Sequence, residues 1–404
     1  MSIGFDPVVS SFLFSASLIP HVGRPKARLE SPSQTPTDPP FVTVIVALYR
    51  ERWEDIEMTL ESLLRQTYRD HFEVLFAVEA HDTPVHPLAE AAARTLRSAG
   101  ISSALVVSHG GRRLKAYALN RAIERARGEI CAFYDASDDI EPTQVEHAAL
   151  LMREKNYDAV QATVLRKGRS VLSQFLFIDT AFWFRKYIPF VLGLAGGMPL
   201  SGEGLFVRTA VLNEVGGFPE VLTEDAYLGI ILTERGKRFG LLSSVITEKA
   251  PRNIRSHFVQ RLRWNRGYLT CLWRLLRSSI SWKRKCVMAL PFLTPLSCSL
   301  AFLGWMLILG QWALSLASGV SIPDVTFSVV QHPLYTRAIY SWAVLLFYLG
   351  IPLCVLSYIH TLRSLGMKKS VPFVALLPYY WTFIGFAATC SFFKNTTNWG
   401  RTER

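Results

Sequence analysis

An alternation of short apolar runs with helix-like segments, between residues 42 and 134, limits the fold more than any other feature of the sequence. The run at 42–48 is almost wholly apolar, which indicates a strand buried on both faces. The segments between the runs place apolar residues three and four positions apart, as amphipathic helices do. Buried strands alternating with helices predict an α/β fold with a doubly wound sheet. The predicted strands are 42–48, 72–78, 104–107 and 129–134, and the predicted helices are 53–66, 88–98 and 114–127.

Polar side chains follow three of these predicted strands. In a doubly wound sheet the ligand binds beyond the carboxyl ends of the strands, where successive loops meet. We therefore expect the site at this edge. The residues that follow the strands are Tyr49, Arg50 and Glu51, then Glu79 and Asp82, and then Asp135, Ser137, Asp138 and Asp139.

The acidic cluster that begins at Asp135 is one candidate for chemistry. Adjacent carboxylates repel one another unless a cation lies between them. Oxygen ligands suit Mg²⁺ or Mn²⁺, and such an ion would bridge the phosphates of a nucleotide. The alternative is a solvated helix-capping turn. A glycine-rich phosphate loop of Walker or dinucleotide type does not occur in the sequence.

A second candidate lies between residues 223 and 264. Asp225 precedes a predicted helix at 226–235, and a carboxylate at a helix N-terminus is held ionised by the helix dipole, as a catalytic base requires. Gln260, Arg263 and Trp264 are three and four positions apart on one predicted helical face, where they could bind an anionic leaving group and a sugar ring. Taken singly, Asp225 could be a plain helix-capping charge and Trp264 an interface aromatic.

The charge distribution argues for a membrane surface and against nucleic acid. The chain has 404 residues, 50% of them hydrophobic, and a net charge of +12. Between residues 249 and 285 every charged residue is Lys or Arg, and an apolar segment follows directly. Such a juxtamembrane basic belt suits anionic headgroups and phosphates. The six cysteines show no CxxC spacing, which favours a reducing compartment over a zinc site or a disulfide framework.

Several motifs, in this order along the chain, resemble those of the membrane-bound family 2 glycosyltransferases, which are related to cellulose, hyaluronan and chitin synthases. The run Thr223-Glu224-Asp225 and the pattern Gln260-x-x-Arg263-Trp264 match that family without departure. The other matching segments are 46–51 (nucleotide contact), 79–83 (second acidic motif), 115–120 (Lys-x-x-Ala-Leu-Asn), 134–138 (metal and diphosphate) and 201–208 (acceptor floor). This sequence departs from the family at Ala47, His81, Ser137 and Glu203, where proline, aspartate, an acidic residue and a small hydroxyl residue are common.

The resemblance implies a GT-A fold (a Rossmann-like nucleotide-sugar-binding fold), a UDP-sugar donor and inversion at the anomeric carbon. It assigns catalysis to Asp225 with Glu224, and Mg²⁺ or Mn²⁺ binding to Asp135 and Asp138, with Asp139 the alternative second ligand. The substrate-binding residues it implies are Tyr49, Glu51, Glu79, Asp82, Lys115, Asp135, Gln260, Arg263 and Trp264.

The acceptor implied by the resemblance is membrane-associated, either a lipid or a growing polysaccharide. The sequence predicts two membrane crossings, which are too few to enclose a polar channel. Polymer elongation would therefore need a homo-oligomer or a separate export partner. A non-catalytic membrane partner of another polysaccharide synthase is the alternative function.

The sequence predicts three regions. Residues 1–40 form an apolar arm and a proline-rich linker, 41–285 the catalytic domain, and 286–404 the membrane region with a basic tail. Crossings are predicted near 287–317 and 338–360, a re-entrant or interfacial element at 371–393, and an interfacial helix at 175–194. The distribution of Lys and Arg places the catalytic domain on the cytoplasmic side of a multi-pass protein of the cell membrane (inner or plasma membrane).

Overall fold

The computed structural model describes residues 20, 27–33, 38–109, 114–319 and 352–393. Its centre is one mixed sheet of eight strands in the order β3-β2-β1-β4-β7-β6-β8-β5. The strands are β1 (Val42–Leu48), β2 (Phe72–Glu79), β3 (Ser103–Ser108), β4 (Ile130–Asp135), β5 (Asp138–Ile140), β6 (Ala159–Lys167), β7 (Leu205–Arg208) and β8 (Phe239–Lys249).

Helices cover the sheet and extend beyond it toward the C-terminal region. Those of the first half are α1 (Trp53–Leu64), α2 (His86–Ser98), α3 (Lys115–Ile123), α4 (Gln144–Lys155), α5 (Val171–Phe182), α6 (Ile188–Ala195) and α7 (Thr209–Val215). Those of the second half are α8 (Glu224–Glu234), α9 (Ile254–Leu276), α10 (Trp282–Phe292), α11 (Thr294–Ser318), α12 (352–364) and α13 (Leu377–Phe393).

The first half of the sheet confirms the predicted alternation. Strand β1 pairs in parallel with β2 on one side and β4 on the other, and β3 pairs in parallel with β2. All seven residues of β1 are buried, as its apolar run predicts. Alternate side chains of β1 enter two separate hydrophobic clusters, one on each face of the sheet.

The second half of the sheet differs from a simple doubly wound pattern. Strand β7 is antiparallel to both β4 and β6, and β5 is antiparallel to β8, while β6 and β8 are parallel. The alternation did not reveal these partners because β5 and β7 have only three and four residues, too few for a clear apolar run.

The predicted interfacial helix at 175–194 is a bent element packed on the protein core. Helix α5 runs into α6 through a π-helical turn, Trp183–Tyr187, in which the Ile188 N–H donates to the Trp183 carbonyl. Phe182, Phe184 and Tyr187 are buried. Asp179 and Lys186 also bond to other parts of the chain, Arg261 and Ser357. The segment therefore packs on the protein, and its placement at a membrane interface stays a prediction.

In the described part of the chain the C-terminal apolar helices give one candidate span, or two if a bent pair of helices counts as a single span. The 26-residue segment Lys368–Phe393 is long and apolar enough to cross a bilayer. Trp282–Phe292 and Thr294–Met306 meet the same criteria only as a pair, which is bent by 53°. Pro291 lies inside α10 and a second proline lies in the first turn of α11, and these explain the bend.

The candidate spans correspond only in part to the predicted crossings. The bent pair begins the crossing predicted near 287–317, including its break at the prolines. Most of the crossing predicted near 338–360 lies outside the described residues, although 352–364 is helical. The apolar segment Lys368–Phe393, which is long enough to cross, corresponds to the element predicted to be re-entrant or interfacial at 371–393. The described residues therefore do not support the predicted multi-pass arrangement.

Candidate active site

The predicted site residues that follow β1, β2 and β4 lie at one edge of the sheet. Leu48 is opposite Val78 and Ala47 is opposite Asp135 in the parallel pairings of β1. The loops after β1, β2 and β4 therefore leave the sheet side by side, as the strand-end argument predicts.

Lys115, the first residue of α3, reaches across to this edge. Its Nζ donates to Asp135 Oδ1 at 2.5 Å, and the two side chains are 9% and 23% exposed. Burial lowers the pKa of Lys115, but the carboxylates of Asp135, Glu224 and Glu203 outweigh it and raise the pKa well above its usual range. The lysine is therefore a fixed positive charge among carboxylates.

A tight turn after Asp135 separates the two candidates for the second metal ligand. Ser137 has φ 72°, and its N–H donates to the Asp55 carbonyl at 2.9 Å. This turn directs Asp138 inward, where Oδ2 accepts from the Asp135 N–H at 2.8 Å. Asp139 points outward and pairs with Arg65 at 2.6 Å, with both side chains about half exposed.

The donor chemistry of this turn fits a hard divalent cation. Within the described residues no three His, Cys, Asp or Glu side chains cluster as a metal site. Mg²⁺ in nucleotide sites takes one or two protein carboxylates, and phosphates and waters complete its coordination. Asp135 and Asp138, three residues apart on one turn, could supply that number.

Asp225 lies in the first turn of α8, as its predicted place at a helix N-terminus requires. Its Oδ2 accepts from the Gly202 N–H at 2.6 Å, and its Oδ1 accepts from the Ala226 N–H at 2.7 Å. Burial raises the pKa of Asp225 even though these amides and Lys115 favour the ionised form. Desolvation is therefore the largest single influence on this carboxyl, larger than the hydrogen bonds at the helix end.

The pKa of Glu224, the preceding residue, shifts in the same direction. Glu224 is 7% exposed, and burial together with Asp225 raises its pKa to about 8. Carboxylates with raised pKa values are stronger bases than free ones, which suits proton abstraction from an alcohol.

Gly202 lets the basic and acidic halves of the site approach one another. A Cβ at this position would lie 3.1 Å from Lys115 Nζ and 3.3 Å from Asp225 Oδ2. A side chain here would be too close to both groups, so glycine allows Lys115 and Asp225 to lie against the same backbone segment.

The loops after β1 and β2 form a second, deeper part of the edge. Glu79 is fully buried, and burial with the nearby Asp82 raises its pKa to about 7. Among the described residues neither of its carboxylate oxygens has a hydrogen-bond partner, and His81 Nδ1 lies 3.9 Å from Oε2. Asp82 Oδ2 accepts from the Arg50 N–H at 2.5 Å, and Tyr49 contacts the His81 ring edge-on at 5.9 Å. Glu51 follows in the same loop, half-buried. This arrangement can accept hydrogen bonds from a ligand and place a ring beside them.

Helix α9 carries the predicted amide, guanidinium and indole. Gln260 is 3% exposed, whereas Arg263 and Trp264 are half-buried. The guanidinium carbons of Arg166 and Arg261 lie over the Trp264 ring at 4.7 and 5.1 Å from its centroid. The indole is therefore already in contact with two cations.

Sequence reasoning missed a buried charge network beside this indole. Arg166, in β6, donates to Glu248 Oε2 of β8 at 2.5 Å and lies 3.7 Å from Glu203. The available signal was Arg166, a charged residue in a mostly apolar segment. Sequence spacing could not identify Glu248 as its partner, because the two residues are 82 positions apart.

Replacing Glu224 with glutamine should change how stability depends on pH. The pKa of Glu224 rises from 4.5 to about 8, so in this pH range the native state keeps a proton that the unfolded state releases. Its contribution to the free energy of unfolding therefore falls as pH rises through that range. Relative to the wild type, Glu224→Gln should gain thermal stability between about pH 5 and about pH 8. Glu61→Gln, a change at an exposed residue, is the control, and its thermal midpoint should follow that of the wild type across this pH range. A Glu224→Gln midpoint that also follows the wild type would contradict the raised pKa of Glu224.

Comparison with known proteins supports the assignment to a class of enzymes. A solved structure similar to this chain is the mannosyltransferase PcManGT from Pyrobaculum calidifontis in complex with GDP-Man and Mn²⁺, at 21% identity and a TM-score of 0.57, over 92% of this chain and 97% of that one. This likeness shows a shared fold.

Two curated relatives match by sequence. The probable glycosyltransferase YdaM of Bacillus subtilis (strain 168) is 26% identical over 42% of this chain and 42% of its own length. The beta-monoglucosyldiacylglycerol synthase of Trichormus variabilis (strain ATCC 29413 / PCC 7937) is 23% identical over 72% of this chain. The matches span 42% and 59% of the lengths of these relatives.

A family model covers most of the chain. The glycosyltransferase class that the motifs predicted is confirmed, while family 2 and the polymer-synthase type stay predictions. The model described as glycosyl transferase family 21 matches residues 10–346, and the protein therefore belongs to that family.

Proposed function

We propose that the protein is an inverting glycosyltransferase that moves a sugar from a UDP-sugar to a membrane-associated acceptor. The observation that carries this proposal is the meeting of Asp225 with the Lys115–Asp135 pair at Gly202. Direct displacement requires a base on the acceptor side and positive charge on the diphosphate side. Both are supplied within one small volume.

In this mechanism Asp225 takes the proton of the attacking hydroxyl. The amides of Gly202 and Ala226 hold its carboxylate in place, so that little reorganisation accompanies proton transfer. Glu224, buried beside it, raises the basicity of the pair. Lys115 offers the departing diphosphate a cation, and Mg²⁺ or Mn²⁺ held by Asp135 and Asp138 would add charge stabilisation there when bound.

The remaining predicted residues would bind the two substrates. Tyr49, Glu51, Glu79 and Asp82 surround the part of the edge suited to the nucleoside, since the buried Glu79 can accept its N–H or O–H groups. On α9, Gln260, Arg263 and Trp264 would face the diphosphate and the acceptor sugar. PcManGT was solved with GDP-Man, so GDP-mannose belongs with the UDP-sugars in a donor screen.

A lipid acceptor is the first choice within this proposal. One relative is named a beta-monoglucosyldiacylglycerol synthase. Trp273 and Trp282, 58% and 71% exposed, lie within the basic segment 249–285, and Trp282 begins the bent helix pair; exposed aromatic residues are common at a membrane surface. An acceptor in the leaflet could enter from the side and would need no channel.

Polysaccharide elongation is the second choice. The described residues offer at most two candidate spans, which cannot enclose a sugar chain, so an oligomer or an export partner would have to supply the channel. The deciding measurement is the product made by the purified protein in nanodiscs from labelled donors. We expect one or a few sugars on an extractable lipid; polymer from a demonstrably monomeric protein would refute the lipid reading. Absence of UDP or GDP release with every donor would favour a non-catalytic partner role.

Asp225→Asn should abolish transfer without abolishing nucleotide binding. Loss of a general base costs about 10²- to 10⁴-fold in rate, whereas the amide leaves Lys115 and Asp135 unchanged. Turnover is measured by UDP release and affinity by calorimetry. Asp70→Asn is the control and should keep both turnover and affinity. Asp70 is exposed and lies just before β2, at the end of that strand away from Glu79. Turnover of Asp225→Asn within a few-fold of wild type would remove Asp225 from this role.

Asp135→Asn and Asp138→Asn should each remove the gain in UDP affinity that Mn²⁺ provides. One carboxylate cannot hold the ion against its own hydration. Asp139→Asn should retain the gain, because that carboxylate faces Arg65 at the surface. Calorimetry with and without Mn²⁺ measures the difference. A wild-type affinity that does not respond to Mn²⁺ would refute the metal site, and loss of the response in Asp139→Asn alone would transfer the role to Asp139.

A further inference from the structure

A continuous set of contacts joins the apolar helix α13 to the indole of the candidate site. Tyr380, on α13, is 5% exposed, and its hydroxyl accepts from Arg261 Nη2 at 3.0 Å. The Arg261 guanidinium lies over the Trp264 ring, 5.1 Å from its centroid. Two contacts therefore separate a candidate membrane helix from a residue proposed to bind substrate.

Arg261 is held by more than this tyrosine. Its Nη2 also donates to Asp179 Oδ2 of α5 at 2.5 Å, which compensates the buried charge. The carboxylate neutralises the cation, while the tyrosine hydroxyl helps to fix its direction. A planar guanidinium needs such directed partners to keep its orientation over an aromatic ring.

Tyr380 is itself firmly placed. Its ring stacks on Phe175 at 5.2 Å and on His257 at 5.9 Å, and its hydroxyl lies 3.1 Å from His257 Nε2. Burial lowers the pKa of His257 to about 2, so the imidazole is neutral, and in the tautomer protonated at Nδ1 its Nε2 accepts from the tyrosine hydroxyl. Tyr380 can thus donate to His257 and accept from Arg261 at once.

We propose that Tyr380 is a positioning residue, which holds Arg261, and through it Trp264, in the orientation that sugar transfer requires. The seating of α13 then sets the geometry of the substrate-binding wall on α9. The inference rests on the proposed function for its kinetic consequence, but the contact that it asserts can be tested without any turnover.

The contact is tested by ¹⁹F NMR of the full-length protein labelled with 5-fluorotryptophan in detergent micelles. Trp264→Phe identifies the Trp264 resonance by its disappearance. Tyr380→Phe should shift that resonance, because it keeps the stacked ring and removes only the hydroxyl that orients Arg261. Tyr379→Phe is the matched control, since Tyr379 is the adjacent residue and is 76% exposed, and it should leave the resonance in place. An unmoved resonance in Tyr380→Phe would overturn the proposal, whether or not the protein transfers sugar.

The kinetic consequence separates positioning from a general structural role. Loss of one hydrogen bond to a charged group should lower kcat about 5- to 10-fold, with the KM for the donor unchanged. In an Arg261→Lys background, Tyr380→Phe should cause no further loss, because its effect passes through Arg261. If the losses in kcat from Tyr380→Phe and Arg261→Lys multiplied in the double variant, Tyr380 would not act through Arg261. An effect on the donor KM alone would also overturn the proposal. A wild-type protein inactive with every donor would refute the proposed function, and the NMR result would still decide the contact.

Discussion

The buried ammonium group of Lys115 is the interaction on which the site depends. Asp135, Glu224 and Asp225 lie close to one another in a region from which water is largely excluded. Without a compensating cation their mutual repulsion would favour protonation or expulsion of these side chains. One lysine at the start of α3 therefore allows three carboxylates to share the end of a sheet.

Lys115 compensates the charge of these carboxylates only in part, and this leaves them in different states. The carboxylate pair on α8 keeps raised pKa values although Lys115 lowers them, since desolvation is the larger effect. Asp135 retains the direct ion pair. One constellation thus contains carboxyl groups of raised pKa and a charge-paired carboxylate, and their different environments suit them to the different tasks proposed above.

Much of the fold's first half was predictable from sequence because its strands are buried on both faces. The run Val42–Leu48 is almost wholly apolar, as a strand buried on both faces requires, and its bounds were predicted to the residue. The edge where Glu79 and Asp135 meet followed from parallel pairing alone. The order of the later strands was not predictable, because β5 and β7 are too short to produce a periodic signal.

The limits in the site have a similar cause. Spacing identified Asp138 and Asp139 as candidates but could not tell which turns inward, since that depends on the left-handed backbone at Ser137. Arg166 and Glu248 meet only because β6 and β8 are neighbours, a tertiary fact absent from local pattern. The raised pKa of Asp225 likewise reflects burial by distant segments, which a helix-terminus argument does not include.

The π-helical turn between α5 and α6 has a consequence for how this family could vary. A π turn accommodates one extra residue within a helix, and each residue turns a helix by about 100°. The turn at Trp183–Tyr187 thus fixes the relative phase of two helical faces: Asp179, before it, points to Arg261, while Lys186, within it, points to Ser357 of α12. Deleting a single residue there would restore a regular helix and misalign one face against the other. Changes of length in this segment should consequently be far less tolerated than changes of side chain.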